Sequence, residues 1–401
     1  MGLFHRQMGI FRAGGSCRIS LACALSLLAG LAPGFEDAFA EGFAARTCRK
    51  VALTDAGTGL AVSGAEALAL SEDETSLFVS AYDRRTETGA GIPPQGGLYR
   101  LDVADLITAH SLTARSLSLD GDPVGGFRPH GLAVFEPAGD APLLAVINRR
   151  YVKRADGGYR FHPAIEVFRN SDGKWNHFRT LQHAGLCRAN DLDFLDGKTL
   201  VVSIDRSVCA DFTVSEDGFG FPGGFLARVG FGSSGITRYD PLDTPRLDFP
   251  NGVAVDRVRD AVYIAATKGA EILVFNRTDL LTGTAIVPSA RLPIPGHPDN
   301  LSLAALHGAE RRLVAAVYPD LLAFAAYRYN WFGVQKTASK ILALGQDGSV
   351  SVLFDDPDGS VFSGASSAVL AHSVHSGPDP VLIAGSVGDD GLLVCTGRQA
   401  T

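Results

Sequence analysis

One pattern recurs six times along the 401 residues and restricts the available folds more than any other feature: a polar residue, a short strand-like run, a turn and a second strand-like run. The paired runs are 66–70 and 76–80, 130–135 and 143–148, 190–195 and 199–205, 251–256 and 261–266, 300–305 and 312–317, and 366–371 and 380–385. Their lead residues, Glu66, His130, Asn190, Asn251, Asn300 and Ser366, are 64, 60, 61, 49 and 66 positions apart. Four strands of ~5–6 residues with their turns need roughly 40–50 residues, so each interval has room for one four-stranded blade. Runs at 97–101, 164–168, 224–229, 271–275 and 340–344 supply the outer strands. Helical periodicity never persists. Periodic modules of this size predict an all-β chain, a six-bladed β-propeller with its ring closed by strands from the two ends of the chain. A large β-sandwich is the competing all-β solution, and it gives no reason for polar residues at matching positions.

Composition agrees with a packed, turn-dense fold: 46% of residues are apolar, and there are 46 glycines and 20 prolines. That apolar content excludes disorder. The first eighteen residues carry Arg6, Arg12 and Arg18 and no acid; an apolar run at 19–32 and Ala38-Phe39-Ala40 follow. A basic start, a short apolar stretch and a small-x-small end predict a signal peptide over 1–40, leaving 41–401 as the folded propeller. Fourteen residues rise about 21 Å as a helix, short of a ~30 Å hydrocarbon core, so an N-terminal membrane anchor is the lesser alternative to export. Loss of the leader, with three arginines against Glu36 and Asp37, takes the formal charge from −7 to −8. No nucleic-acid partner is expected of so acidic a chain, nor any stable membrane span once the leader is gone.

Export permits disulfides. Four cysteines remain, Cys48, Cys187, Cys209 and Cys395, which allow three pairings. Joining Cys48 to Cys395 would tie the two ends of a ring together and, in the loop-entropy account, stabilise it by roughly 5 kcal/mol. Cys187 and Cys209 would then be a local pair or two free thiols.

In a propeller the first strand of each blade lines the central channel, so the lead residues should face one axis. Glu66, Asn190, Asn251, Asp299 and Asn300 offer only oxygen: two carboxylates and three amide carbonyls. Hard oxygen without thiolate selects Ca2+ or Mg2+, and five protein oxygens favour Ca2+, which accepts 6–8. Two carboxylates balance the ion without over-neutralising it, so it could still polarise a substrate oxygen.

The stretches Phe127-Arg128-Pro129-His130-Gly131-Leu132, Asn190-Asp191-Leu192, Phe249-Pro250-Asn251-Gly252-Val253-Ala254-Val255 and Asp299-Asn300-Leu301-Ser302-Leu303 resemble blade starts of the serum paraoxonase/arylesterase family. That family belongs with the gluconolactonases and strictosidine synthases among six-bladed calcium-dependent propellers. The resemblance spans 48–395 and includes a cysteine near each end, which implies a ring-closing Cys48–Cys395 disulfide. It implies that Glu66, Asn190, Asn251, Asp299 and Asn300 bind a catalytic Ca2+. His130 would be a candidate proton acceptor, and Asp191 with the Leu132 carbonyl would serve a second, structural calcium. Three departures stand out: Ala67 where the family has an acid, Arg149 after Asn148 where it has a histidine, and Tyr318 where it has another. His162, reaching in from the end of the insertion 149–161, is the candidate replacement for the second of these.

The activity expected is calcium-dependent hydrolysis of a small lactone or of an aryl or otherwise activated ester. Water would attack the carbonyl, with His130, Glu66 or Asp299 accepting its proton. No Gly-x-Ser-x-Gly elbow is present to supply a serine nucleophile. A strictosidine-synthase-like relative, or a non-catalytic propeller acting as a binding module, is the alternative. Segments 149–161 and 327–332, rich in arginine and aromatic residues, are expected to shape the mouth of the channel.

Overall fold

A computed structural model describes residues 47–85, 94–120, 125–153, 155, 157, 159–209, 220–283, 286–305, 311–345, 348–372 and 380–396. The expected signal peptide over 1–40 lies outside them. The fold is a six-bladed β-propeller.

Blade 1 is built from Ala65–Leu70, Ser76–Ala81 and Gly97–Asp102. Blade 2 comprises Pro129–Phe135, Leu143–Asn148, Ala164–Ser171 and Lys174–Leu181, and blade 3 comprises Ala189–Asp196, Thr199–Ile204, Phe225–Gly232 and Gly235–Pro241. Blade 4 is Pro250–Asp256, Ala261–Ala266, Glu271–Asn276 and Ala290–Pro293; blade 5 is His297–Ala305, Arg311–Tyr318, Ser339–Leu344 and Val350–Asp356. Blade 6 takes Ala365–Ala371, Val381–Ser386 and Leu392–Cys395 from the end of the chain and Cys48–Asp55 from its beginning.

That shared blade closes the ring, as expected. Cys48–Asp55 pairs antiparallel with Leu392–Cys395, and Cys48 lies directly opposite Cys395, to which it is disulfide-bonded. Cys187 and Cys209 form the second disulfide. On its other edge the N-terminal strand takes a parallel partner, Ser111–Ala114, so among the described residues this sheet has five strands, while blade 1 has three rather than the four expected, with an isolated bridge from Tyr99 to Ser116 at its outer edge.

The core lies between blades. Six apolar clusters fill the six blade interfaces: Phe78, Leu98, Leu144 and Phe168 between blades 1 and 2, for example, and Val51, Leu77, Val79 and Ile383 between blades 6 and 1. Burying each such side chain contributes about 1.5–3 kcal/mol. Second strands are packed on both faces, which is why 143–148 and 381–386 read as continuous apolar runs; both are buried throughout.

Inner strands depart from regular pairing at one place. Every one has a register shift at its first residues: between Ala65 and Ala67, Pro129 and Leu132, Ala189 and Leu192, Pro250 and Val253, Pro298 and Leu301, and Ala365 and Ser367. A bulge unpairs a residue and re-aims its side chain. All six lead residues sit inside these shifts.

Candidate functional site

Glycine lets adjacent bulges approach. A Cβ on Gly131 would come within 2.3 Å of Asp191 Oδ1, and one on Gly252 within 2.4 Å of the Asp299 carbonyl oxygen. The next inner strand passes where a side chain would otherwise be, so the His-Gly and Asn-Gly pairs allow the ring to tighten.

The lead residues are linked in a closed circle of contacts. His130 Nε2 is 3.9 Å from Glu66 Oε1. Asn300 Nδ2 donates to the Glu66 carbonyl at 3.1 Å, and Ser366 Oγ donates to the same carbonyl at 3.0 Å. Asn300 follows Asp299, whose Oδ1 accepts from Asn251 Nδ2. Ser203 Oγ donates to the Asn251 carbonyl at 2.6 Å and accepts from Asp191 N at 3.0 Å. Gly131, next to His130, lies against the Asn190 carbonyl, where a Cβ would come within 2.6 Å of its oxygen, and this closes the circle. Residues far apart in sequence and drawn from all six blades thus meet at the channel end where the inner strands begin.

Four oxygens in this circle are buried and have no hydrogen-bond donor: Glu66 Oε2, Asn190 Oδ1, Asn251 Oδ1 and Asn300 Oδ1. Buried acceptors left without partners are rare, because each forfeits its hydration. Their type, amide and carboxylate oxygen from four blades, fits the donor preference of Ca2+. Among the described residues no group of three or more His, Cys, Asp or Glu is placed to hold a metal, so any ion here depends on the asparagines.

The electrostatics are strongly perturbed. Burial, followed by repulsion from Glu66, pushes Asp299 up to about 8. Its Oδ2 accepts from the Tyr318 hydroxyl, and burial beside Asp299 and Glu66 holds that phenol well above its usual range. His130 is wholly buried; desolvation, then the charges of Arg84, Arg149 and Arg328, depress it well below the ordinary imidazole value. His130 Nδ1 accepts from Gly131 N at 2.8 Å. In the neutral ring the proton therefore sits on Nε2, facing Glu66.

Asp191 stands apart from the five oxygen donors. Its Oδ2 accepts from Val253 N at 2.8 Å, while Oδ1 lies against Gly131 without a donor, and burial raises its proton affinity. Asn148 is structural, accepting from Arg128 N and donating to Glu166 Oε1. The backbone of His162 is bonded to Arg150 in both directions, through its N–H to the Arg150 carbonyl and its carbonyl from Arg150 Nε. Asp205 is held by Arg188 through two hydrogen bonds, Nε to Oδ1 at 2.9 Å and Nη2 to Oδ2 at 3.1 Å.

One group in the site has no counterpart in the sequence reading. Arg84, just after the second strand of blade 1, forms an ion pair with Glu66 Oε1, and its carbonyl accepts from Arg328 Nη1. Arg328 ends the helix Leu321–Arg328, which is inserted between the second and third strands of blade 5. A cavity of about 410 Å³ lies elsewhere, at the opposite end of the inner strands, lined by Leu70, Phe135, Val255 and Leu303 among others.

No protein-family model matches this chain, and no curated protein matches it in sequence. Solved structures do. A protein of unknown function from Dyadobacter fermentans is 11% identical, with 87% of this chain and 98% of that one covered and a TM-score of 0.53. Luciferin-regenerating enzyme is 11% identical over 88% of this chain and 97% of that one, with a TM-score of 0.45. Regucalcin from Agrobacterium tumefaciens, described as a calcium-binding protein, is 12% identical over 85% and 92%, with a TM-score of 0.44. At these identities the likeness is one of fold, and membership of the paraoxonase family specifically does not follow from it.

Proposed function

We propose that this chain is a calcium-dependent hydrolase of small lactones or of aryl and other activated esters. One observation carries the reading: four buried oxygens without donors, on Glu66, Asn190, Asn251 and Asn300, within a circle that also contains Asp299. Those five residues would hold the ion, and Asp191 would serve a second calcium if one binds. When bound, calcium supplies Lewis-acid stabilisation of a carbonyl oxygen as negative charge develops on it.

The chain's own groups do the rest. Tyr318 and Asn251 fix the Asp299 carboxylate from two sides. His130 presents its Nε2 proton toward Glu66, because Gly131 occupies the other ring nitrogen. That makes His130 an orienting donor in this geometry and leaves Glu66 or Asp299 to accept the proton of the attacking water. Export belongs to the same proposal: two disulfides suit an oxidising compartment, and among the described residues no helix is long and apolar enough to cross a membrane.

A second reading is favoured by Arg84, whose guanidinium already neutralises Glu66. It is a propeller without metal chemistry, a binding module or a strictosidine-synthase-like relative. Lactone and aryl-ester assays before and after chelation separate the two. The hydrolase reading expects activity that is lost with calcium and returns when calcium is restored. Full activity after complete removal of calcium, or none under any condition, favours the second.

A further inference from the structure

The loops that leave the second strands share a backbone register. Tyr82 N donates to Gly64 O, Arg149 N to Arg128 O, Asp205 N to Arg188 O and Thr267 N to Phe249 O, at 3.1, 2.9, 3.0 and 3.1 Å. Each bond marks the same point in its blade, beside the start of the inner strand and hence beside the site. At or within two or three residues of that point, four consecutive blades place cations: Arg84 and Arg85, Arg149 and Arg150, Arg206, and Lys268. Acids stand there too, Asp83 in blade 1, Asp205 in blade 3 and Asp320, Asp389 and Asp390 in blades 5 and 6, and they are turned to structural use: Asp83 accepts from Arg85 N, Asp205 from Arg188 and Asp390 from Ser63 Oγ. Asp320 caps its helix by accepting from Leu322 N and Ala323 N, and Asp389 pairs with Lys50 and accepts from Ser363 N. An acidic chain thus has a cationic arc over one side of its channel mouth.

The arc is anchored at blade 4. Arg206 Cζ lies 5.7 Å and Lys268 Nζ 5.4 Å from the centre of the Phe249 ring, so one aromatic ring holds cations from two blades. Phe249 has a positive φ of 61°, a strained conformation for a bulky residue, and precedes Asn251 by two positions. Strain of this kind costs on the order of 1–3 kcal/mol and concentrates at functional sites. In blade 2 the Arg149 guanidinium stacks 4.9 Å from the Phe161 ring. Each of these cations has contacts of its own within the protein; their common placement carries the inference. A run of like charges beside low-dielectric walls concentrates ligands of the opposite charge, and guanidinium groups match the planar oxygens of carboxylates and phosphates.

We propose that Arg149, Arg206 and Lys268 recognise an oxyanion at the channel mouth, and that the substrate is an ester or lactone carrying a carboxylate or phosphate group. The part naming an ester rests on the hydrolase reading above; the oxyanion site itself does not.

The test is titration calorimetry of the full folded chain with glutarate and, separately, inorganic phosphate. It is paired with kcat/KM for monophenyl glutarate against phenyl acetate. Glutarate or phosphate should bind, more weakly as salt is raised, and whichever binds better identifies the anion. Arg206→Gln combined with Lys268→Gln should weaken that binding about tenfold and lower the charged-to-neutral kcat/KM ratio by a similar factor. Arg206→Lys should retain most of it, and Arg149→Gln gives an independent loss if the double variant fails to fold. Failure of both anions to bind the wild type, or equal binding by the folded variants, overturns the proposal. Charge-dependent anion binding without hydrolysis of any ester would uphold the oxyanion site while removing the hydrolase reading. Hydrolysis without anion binding or charge preference would do the reverse.

Discussion

The guanidinium of Arg84 shares Glu66 with any cation that enters the ring. Two positive charges on one carboxylate repel, so Arg84→Gln should tighten calcium binding by about tenfold or more, measurable by competition with a chelating dye. Unchanged or weaker binding would mean that Arg84 does not compete for Glu66. Asp299 sets the pH dependence. Burial and Glu66 push it up to about 8, and on the calcium reading it would have to lose its proton to hold the ion. A proton therefore competes with the metal below that value and not above it. Affinity should climb as pH rises, by about tenfold per unit between about pH 6 and 7, and level off above about 8; a flat profile contradicts the assignment. The lead residues were legible in the sequence because the repeat put them in register. Arg84 was not, because it lies in a loop past the second strand where no periodicity reaches; Arg328 fell within the segment 327–332 expected to shape the mouth, but its bond to the Arg84 carbonyl left no trace in the sequence.

At the scale of elements, the six bulges convert an ordinary strand start into an inward-facing side chain. The polar leads and following glycines hinted at this without revealing it, since a pairing shift leaves no mark in hydrophobic alternation. Ser203 shows how the second strand supports the first. Its hydroxyl ties the Asp191 backbone to the Asn251 carbonyl across blades 3 and 4. Ser203→Ala leaves those buried groups short of a partner, which should destabilise the protein by about 1–3 kcal/mol. Calcium affinity should fall severalfold with it, because the backbone of Asp191, next to Asn190, loses its tie to Asn251. Lowered stability with unchanged calcium affinity would confine Ser203 to the fold. The helix Leu321–Arg328 is the other missed element: Arg85 of blade 1 donates to the Tyr327 carbonyl at 3.2 Å and to the Val334 carbonyl at 3.0 Å, so the insertion reaches the far side of the mouth. In the sequence, the segment 327–332 was expected to shape the mouth, with nothing to place it or to say what it touches.

For the whole molecule, ring closure is the property the sequence carried most openly, through a repeat recurring at intervals of 49 to 66 residues and a cysteine near each end. The N-terminal strand completes blade 6, and Cys48–Cys395 fastens it. Replacing both cysteines by serine should lower resistance to denaturant by about 2–4 kcal/mol, read from the unfolding midpoint. If ring closure matters to the site, calcium affinity falls as well, because Glu66 and Ser366 belong to the two blades that the closure joins. The three-stranded first blade escaped the sequence reading, because the run at 111–114 joins the N-terminal strand of blade 6 instead of completing its own sheet. The hydrolase reading depends on whether these blades meet around one hard cation. The most direct measurement is calcium bound per chain at equilibrium, by dialysis and elemental analysis, for the wild type, Asn251→Ala and Asp299→Ala. The expected result is at least one tightly held ion in the wild type and the loss of one in each folded variant. A wild type that holds no calcium at millimolar concentration, or variants that retain its full complement, would contradict the account.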